Sequence, residues 1–327
     1  MPGLTPPDTP VRGRYAPSPT GDLHLGNLRT ALLAWLYART ARGQFVLRIE
    51  DLDRPRVRPH ATERMISDLR WLGLDWDEGP DIGGPHAPYT QSERIDIYRQ
   101  QLQRLIDADL VYPCYCTRAE ITRVASAPHE DEGPAEPRYP GTCRTLTQAQ
   151  RRAREASGRQ PSLRLRVDDE RLVSFADLIA GTVQQRVSRV VGDFIIRRSD
   201  GIFAYQFAVV VDDALMRLNQ IVRGADLLSS TPRQILLYKA LGFPIPTFAH
   251  VPLVLDEQGK RFSKRSASAG LEPLRAAGRT PAQVIGQLAA SCRLLPTGES
   301  INPSELVQRF TPVALNDIMR SMIQTNI

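Results

Sequence analysis

Apolar and polar residues follow two different periods in the first fifty positions of the chain. In residues 26–42 apolar side chains recur three and four positions apart, which predicts a helix with a buried face that ends at Gly43. Residues 12–16 and 44–50 have the pattern of short strands. Because a strand, a glycine-containing turn, a helix and a second strand form one βαβ unit, we predict an α/β fold with a parallel sheet of the nucleotide-binding type.

The same reasoning divides the rest of the chain into further elements. Helices are predicted at 61–72, 92–107 and 148–156, and strands are predicted at 163–167 and 194–211. The helix at 148–156 opens with a Thr-x-x-Gln capping box. A polar residue followed by proline predicts three more helix starts, the third of them opening the last helix, at Thr231-Pro232, Thr280-Pro281 and Asn302-Pro303. The segment 117–141, rich in proline, glycine and charge, is expected to be a surface excursion.

The composition is that of an ordinary globular protein, with 42% hydrophobic and 24% charged residues. No apolar run approaches the roughly 18 residues that span a bilayer, and the amino-terminal residues lack the apolar stretch of a signal peptide. We therefore expect a cytoplasmic protein without a membrane partner. A net charge of +6 permits nucleic-acid binding without requiring it.

A turn rich in proline and glycine, residues 16–27, lies between the first predicted strand and the first predicted helix. Backbone N–H groups and the helix dipole at such a point favour an anion, for example a phosphate. His24 and Asn27 are three residues apart and can both donate to it, while Gly26 lets an adenine or ribose ring approach the backbone. A βα turn with a capping role alone would explain the same residues, so both interpretations stay open.

Two of the three lysines in the chain, Lys260 and Lys264, stand in one short polar segment, residues 259–265. This segment follows the apolar run 251–255. A long cationic side chain there can reach phosphates and stabilise the charge that develops at phosphorus. A solvated basic loop is the alternative interpretation of the segment on its own.

Together these two segments resemble a known pair of signatures. His24-Leu25-Gly26-Asn27 resembles the HIGH signature of class I aminoacyl-tRNA synthetases, and Arg261-Phe262-Ser263-Lys264-Arg265 resembles their KMSKS signature. Four other segments are similar to the glutamyl branch of that class, namely 14–21, 47–53, 193–213 and 222–228. The resemblance covers residues 12–270 and implies a Rossmann-like catalytic core with a zinc-binding insertion and a short C-terminal helical region. Arg261 replaces the first lysine of its signature, which keeps the charge but not the compact ammonium group.

The resemblance implies that L-glutamate reacts with ATP, accompanied by Mg²⁺, to give glutamyl-adenylate and pyrophosphate. Such chemistry needs positioning and stabilisation of phosphate charge rather than a side-chain nucleophile. The implied catalytic residues are His24, Asn27 and Lys264, and the implied ATP site consists of Pro17, His24, Gly26, Asn27, Ser263 and Lys264. Arginine suits the side-chain carboxylate of glutamate, and a carboxylate suits its ammonium group. The implied glutamate site consists of Arg14, Ala16, Ser18, Glu50, Tyr205 and Arg223.

Three of the four cysteines, Cys114, Cys116 and Cys143, lie close together in the sequence and suit a tetrahedral zinc site that needs a fourth ligand. Buried thiols without metal are the alternative, because the Cys-x-Cys spacing is tighter than the usual Cys-x₂-Cys. From the residues alone, His129 is the default fourth ligand. The pattern Cys-x-Cys followed by Tyr-x₃-Cys is similar to the zinc site of glutamyl-Q tRNA(Asp) synthetases. That resemblance implies Tyr139 as the fourth ligand of one structural Zn²⁺.

The segment after Lys264 is shorter than the roughly 100 residues of an independent domain, so no separate anticodon-binding region is expected in it. This favours the glutamyl-Q type, in which glutamate is activated without tRNA and esterified to the queuosine base at the wobble position of tRNA(Asp). A monomer is expected. The expected organisation is a disordered tail (1–11), the first half of the catalytic domain (12–112), the zinc-binding insertion (113–160), the second half (161–256), and the KMSKS-type loop with C-terminal helices (257–327).

Three other functions share much of this sequence evidence. A truncated glutamyl-tRNA synthetase would charge the 3′ end of a tRNA, and a small-molecule ligase would form the adenylate without an RNA product. A catalytically silent paralogue would bind RNA without reaction. His24, Glu50, Arg223 and Lys264 are all present in their motifs, which argues against the silent paralogue.

Overall fold

The computed structural model of the chain describes residues 9–125, 138–168, 172–253 and 270–324. The strands are β1 (Arg12–Tyr15), β2 (Gln44–Leu47), β3 (Val111–Cys114), β4 (Ser162–Leu165), β5 (Leu172–Asp177), β6 (Gly181–Arg186), β7 (Ile195–Arg197), β8 (Gln220–Gly224) and β9 (Thr247–Val251). The helices are α1 (Leu25–Thr40), α2 (Ala61–Trp71), α3 (Ile95–Asp107), α4 (Arg118–Ala125), α5 (Gln148–Ala156), α6 (Val187–Val190), α7 (Tyr205–Leu215), α8 (Thr231–Ala240), α9 (Leu271–Ala276), α10 (Pro281–Ser291), α11 (Pro303–Arg309) and α12 (Pro312–Gln324).

The parallel strands form the nucleotide-binding type of sheet that the sequence predicts. β1 runs parallel to β2, with Arg12 opposite Gln44. β9 runs parallel to both β8 and β5, in the order β6-β5-β9-β8. The backbone N–H of Asn219 donates to the Arg12 carbonyl at 3.1 Å, and the side chain of Arg14 donates to the Val222 carbonyl, also at 3.1 Å. β1 and β8 therefore lie side by side with their carboxyl ends at the same edge, and the α/β prediction is confirmed.

Helix α1 is buried on all sides. From Leu28 to Ala38 every side chain except Thr30 is buried. One side packs on β1 and β8, and the other is covered by α10, α11 and α12. The predicted buried face is therefore part of a helix enclosed between the sheet and a C-terminal helical layer.

The prediction of a strand over residues 194–211 is wrong. The short strand β7 is followed by helix α7, which begins at Tyr205 and buries every residue from Phe207 to Asp213. The run Val209–Val211 favours a strand in isolation because its side chains are β-branched. Packing of α7 against α3 and α8 overrides that preference.

Other helix predictions depend on their caps. Thr147 and Thr280 each form a complete capping box, so the predicted starts of α5 and α10 are confirmed. The start at Asn302 is also confirmed for α11, but α12 follows it, so α11 is not the last helix. The helix start predicted at Thr231-Pro232 is confirmed, because α8 begins at Thr231, but Ser230 is the cap residue and the Thr231 hydroxyl accepts a hydrogen bond from the buried Arg223 instead.

The region between β3 and β7 carries a small antiparallel sheet in the order β3-β4-β7. The predicted surface excursion 117–141 begins as helix α4, and residues 126–137 lie outside the described part of the chain. Among the described helices, none is both long and apolar enough to cross a membrane.

Candidate active site

A cleft of about 370 Å³ lies at the carboxyl ends of β1 and β8, beside the amino end of α1. It brings together residues predicted for ATP and for glutamate that come from distant parts of the chain, namely Arg14, Ala16, Pro17, Ser18, His24, Gly26, Asn27, Glu50, Tyr205 and Arg223. Ser263 and Lys264 lie outside the described residues, so their placement stays a prediction.

His24 and Asn27 form the amino-terminal cap of α1. Nδ1 of His24 accepts the backbone N–H of Asn27 at 3.2 Å, and Oδ1 of Asn27 accepts the backbone N–H of His24 at 3.3 Å. Because Nδ1 is an acceptor, the neutral imidazole carries its proton on Nε2, where it can be donated to a phosphate oxygen. The capping and phosphate-binding interpretations are therefore compatible within one pair of residues.

Gly26 stands in the first turn of α1, directly beside the His24 ring. A Cβ atom on Gly26 would lie 3.0 Å from two atoms of that imidazole. The missing side chain thus makes room for His24 itself, in addition to the nucleotide contact that the sequence predicts.

Glu50 is held at the cleft by a buried arginine that the sequence reasoning missed. Arg48 has no exposed side-chain surface, donates to Glu50 Oε1 at 2.9 Å and pairs with Asp213 at 2.7 Å. Asp213 also lies 3.5 Å from Arg14 Nε. One carboxylate therefore contacts both Arg48, which holds Glu50, and Arg14 at the other predicted end of the glutamate site. Burial raises the pKa of Glu50, while the Arg48 and Arg14 charges oppose that shift. The arrangement presents a carboxyl group that can bind an ammonium group.

Asp212, the neighbour of Asp213 in α7, was also missed. Its carboxylate accepts hydrogen bonds from Arg94 Nε at 2.6 Å and from Gln91 and Tyr98, both at 2.8 Å. Its side chain has no exposed surface, so the acid is stabilised inside the protein by these three donors. The sequence signal that could have found the pair is two consecutive acids at the end of an apolar run, since acids in such a place need partners.

Arg223 enters the cleft from the carboxyl end of β8 and is 4% exposed. Its Nη2 donates to Thr231 Oγ1 at 2.8 Å and to Gln234 Oε1 at 2.7 Å, and its Nε donates to His250 Nε2 at 3.0 Å. The buried Nη1 has no hydrogen-bond partner among the described residues. Burial lowers the pKa of Arg223 from its usual value, and the group remains a cation at neutral pH. Nη1 is therefore a charged donor suited to a carboxylate.

The predicted metal ligands form one buried group. The sulfur atoms of Cys114, Cys116 and Cys143 lie within 4.8 Å of one another. Tyr139 Oη is 3.3 Å from the Cys114 sulfur and 4.0 Å from that of Cys116, and the two sulfurs of Cys116 and Cys143 are 3.5 Å apart. Bond lengths of about 2.3 Å to sulfur and 2.0 Å to oxygen separate the ligands of a tetrahedral zinc ion by about 3.5–3.8 Å. The group therefore fits zinc in both chemistry and size, whereas His129 lies outside the described residues.

The protonation of Cys114 also suits a metal, whereas burial and the interaction with the Cys114 thiolate raise the pKa values of Cys116, Cys143 and Tyr139, which would lose their protons on binding a metal. A hydrogen bond with Cys143 is the largest influence on Cys114 and, with Arg164 and Tyr139, lowers its pKa to about 4 against the effect of burial. Cys114 is therefore a thiolate at neutral pH, which is the form that binds zinc. The Arg164 guanidinium lies 3.8 Å from the centre of the Tyr139 ring, where a positive charge favours the anionic forms of these ligands.

Residues 10–301 match the family model for the catalytic domain of class I tRNA synthetases of the E and Q type. The chain belongs to this synthetase family. It is 57% identical to the protein of Symbiobacterium thermophilum named Glutamyl-Q tRNA(Asp) synthetase, over 91% of each chain. It is 43% identical to the Glutamate--tRNA ligase of the same organism, over 92% of this chain and 62% of that protein.

A solved structure of this synthetase family has the same fold. The glutamate–tRNA synthetase from Elizabethkingia anophelis superposes with a TM-score of 0.80 at 30% sequence identity, covering 94% of this chain and 66% of that one. The protein is thus an enzyme, a class I ligase of the glutamate–tRNA type, whose family uses ATP with Mg²⁺, glutamate and a tRNA. This activity agrees with a cleft that carries both hydrogen-bond donors suited to phosphate and a buried arginine.

Proposed function

We propose that the protein activates L-glutamate with ATP in the absence of tRNA and transfers it to the queuosine base at the wobble position of tRNA(Asp). The observation that carries the proposal is the 57% identity, over 91% of both chains, to the relative named Glutamyl-Q tRNA(Asp) synthetase. Identity to the glutamate–tRNA ligase of the same organism is 43%. The group Cys114, Cys116, Tyr139 and Cys143 supports the same branch, because Cys-x-Cys with Tyr-x₃-Cys resembles its zinc site.

In the first step, an oxygen of the glutamate α-carboxylate attacks the α-phosphorus of ATP, and the bond from that phosphorus to the pyrophosphate oxygen breaks. His24 and Asn27 donate to the phosphates at the amino end of α1, where the helix dipole adds to their effect. Lys264 is the third phosphate partner that the family resemblance implies. No protein atom becomes covalently attached, so the contribution of the chain is positioning and charge stabilisation.

The glutamate itself is bound at both ends. Arg223 Nη1 and Arg14 take the side-chain carboxylate, while Glu50 takes the ammonium group, and Ala16, Ser18 and Tyr205 complete the walls. Opposite charges at the two ends of the pocket select a substrate that is anionic at one end and cationic at the other. Glutamine would leave buried cationic donors facing a neutral amide.

In the second step, a hydroxyl of the queuosine cyclopentene diol attacks the carbonyl carbon of glutamyl-adenylate. An ester bond forms, the hydroxyl proton is released and AMP leaves with the electrons of the broken anhydride bond. The anticodon loop must then enter the cleft that holds the adenylate. Unstacked bases in RNA loops are the usual targets of protein recognition, which suits this mode of binding.

We further propose that Cys114, Cys116, Tyr139 and Cys143 hold one structural Zn²⁺. With the ion bound, Cys114 and Cys116 at the end of β3 would be cross-linked to Tyr139 and Cys143 at the end of the excursion. The cross-link would act on folding of the insertion, since zinc bound to four protein ligands leaves no position for a substrate.

The test is aminoacylation with labelled glutamate and three RNAs: tRNA(Asp) containing queuosine, tRNA(Asp) lacking it, and tRNA(Glu). Glutamate-dependent exchange of pyrophosphate into ATP is measured first, without any RNA. We expect exchange without tRNA and label on queuosine-containing tRNA(Asp) alone. Nuclease digestion of the labelled tRNA(Asp) after the reaction locates the label, which should stay with the fragment that contains the anticodon and not with the 3′-terminal fragment.

Two results would contradict the proposal. Label on tRNA(Glu) that is lost after blocking the 3′ end would make the protein a glutamyl-tRNA synthetase. Exchange without label on any of the three RNAs would indicate a ligase that acts on a small molecule.

A further inference from the structure

Behind Arg223 lies a buried pair of side chains that the proposed chemistry does not use. Asp177 ends β5, and His250 lies in β9, the neighbouring strand. The Asp177 Oδ2 and His250 Nδ1 atoms are 2.6 Å apart, and neither side chain has any exposed surface. His250 in turn contacts Arg223, the residue predicted to bind the substrate carboxylate, at 3.0 Å. The three side chains form one chain of hydrogen bonds that leads from the interior to the cleft.

The direction of each hydrogen bond follows from the donors around Asp177. Its Oδ1 accepts the backbone N–H groups of Ile179 at 3.0 Å and Ala180 at 2.8 Å. Hydrogen bonds from His250 and from these backbone groups outweigh burial and lower the pKa of Asp177, so it is a carboxylate that can only accept. His250 must therefore carry its proton on Nδ1. The lone pair on Nε2 then accepts the Nε–H of Arg223.

The three acceptors of Arg223 share one property, which is that they are all neutral: the His250 ring, the Thr231 hydroxyl and the Gln234 amide. Asp177 orients the imidazole without touching the guanidinium. The positive charge of Arg223 is thus fixed in place, and among the described residues no carboxylate contacts it. Its buried Nη1, which has no hydrogen-bond partner in the described part of the chain, retains its charge for a ligand.

We propose that Asp177 and His250 are positioning residues that hold the Arg223 guanidinium in the orientation in which Nη1 binds the side-chain carboxylate of glutamate. This inference rests on the proposed glutamate site, but it does not depend on which RNA receives the glutamate. It concerns the first half-reaction, which proceeds without tRNA.

The arrangement also predicts a response to pH. A second proton on His250 would place an N–H group against the Nε–H of Arg223 and break the hydrogen bond. Burial is the main cause of the lowered pKa of His250, with Arg223 and Arg14 acting in the same direction and Asp177 opposing them. The other groups around the ring are the Thr231 hydroxyl at 3.1 Å and the stacked ring of Phe248. His250 is therefore neutral at pH 7 and takes up a second proton only at a pH below the usual range of histidine.

Asp177→Asn is the variant that tests the direction of these hydrogen bonds with the least change of shape. The Asn oxygen can keep the backbone hydrogen bonds, so its amide group donates to Nδ1 and moves the ring proton to Nε2, where it opposes Arg223. We expect KM for glutamate to rise about ten- to hundredfold, the usual effect of losing a hydrogen bond to a charged group. KM for ATP should stay within twofold, and kcat should change less than KM for glutamate. Glutamate-dependent pyrophosphate exchange without tRNA measures all three quantities.

Two substitutions of His250 separate positioning from packing. His250→Gln can place an acceptor oxygen where Nε2 stands, so KM for glutamate should stay within a few-fold of wild type. His250→Leu removes the acceptor and should behave like Asp177→Asn. As the pH falls through the lowered pKa of His250, KM should rise more steeply in wild type than in His250→Gln, because titration of Glu50 and of the substrate is common to both. His60→Asn, at an exposed position, is the control and should match wild type.

Each other outcome overturns the inference. An unchanged KM for glutamate in Asp177→Asn and His250→Leu would show that the pair does not position Arg223. Equal losses for ATP and glutamate, together with a lowered melting temperature, would show a purely structural role. Identical pH profiles of wild type and His250→Gln would remove the role of the imidazole. A wild-type enzyme without any glutamate-dependent exchange would instead refute the glutamate site itself.

Discussion

The assignment of Tyr139 as a metal ligand can be tested by Tyr139→Phe, which deletes one oxygen atom. That oxygen lies 3.3 Å from the Cys114 sulfur and accepts the backbone N–H of Cys143 at 2.9 Å. Structural zinc sites contribute about 10–16 kcal/mol through four ligands, so one ligand contributes about 2.5–4 kcal/mol. At about 1.4 kcal/mol for each factor of ten, zinc affinity should fall by about two to three orders of magnitude.

The assay is competition for zinc between the protein and a coloured chelator at pH 7, combined with metal analysis of the purified protein. Tyr115→Phe is the matched control, because Tyr115 packs in the same buried cluster but its hydroxyl donates to Glu155 at 2.6 Å. It should bind zinc as wild type does. Removing zinc with a strong chelator should lower the melting temperature of wild type and affect Tyr139→Phe less.

Equal zinc affinity of wild type and Tyr139→Phe would refute the assignment. His129→Ala is then the next variant, since a histidine in the excursion is the ligand that the residues alone suggest. Loss of zinc in that variant would make His129 the fourth ligand. Absence of zinc from the wild-type protein, even after supply of the metal, would leave the three cysteines as buried thiols.

Two further predictions concern other parts of the chain. Lys264→Arg keeps the charge but loses the compact ammonium group, and we expect the rate of pyrophosphate exchange to fall at least tenfold; Lys239→Arg, at an exposed position of α8, should leave that rate unchanged. Gly286→Ala would place a Cβ atom 1.9 Å from the Glu299 carbonyl oxygen, and the clash should cost about 1–3 kcal/mol beyond the gain in helix propensity. Thermal unfolding should show a lower melting temperature for Gly286→Ala but not for Gln287→Ala, at the exposed next residue; equal melting temperatures would show that the backbone at Glu299 moves aside.

Elements with local causes could be predicted from the sequence, and those with distant causes could not. The caps at Thr147 and Thr280 were predictable because each capping box lies within four consecutive residues. Helix α7 was not, because its run of valines becomes helical through burial between other elements. The existence of α12 was missed for a related reason, since it is stabilised by contact with α1, far away in the chain.

The candidate site shows the same division. His24 and Asn27 could be singled out because their spacing and position at a helix start are local features. Only their motifs distinguish Arg14 and Arg223 from the many other arginines in the sequence. Their burial could not be predicted, because the partners that bury them come from other elements. Asp177 and His250 stand 73 positions apart, and no local pattern indicates that the two residues meet. The pair forms because the fold places β5 beside β9, and the structure is needed to show this.

The C-terminal helices do more than extend the chain beyond the catalytic cleft. Tyr37 of α1 donates to Asn316 at 2.8 Å, and Arg29 of α1 donates to the Cys292 sulfur at 3.0 Å and to the Pro252 carbonyl. Helix α1, which begins at the His24 cap, is thus supported by this helical layer, and its Arg29 also binds the chain at Pro252 after β9. We expect a deletion ahead of α11 to expose apolar side chains of α1, so that the fold and the proposed phosphate site are lost together. The C-terminal helical layer therefore stabilises the helix on which one side of the cleft is built.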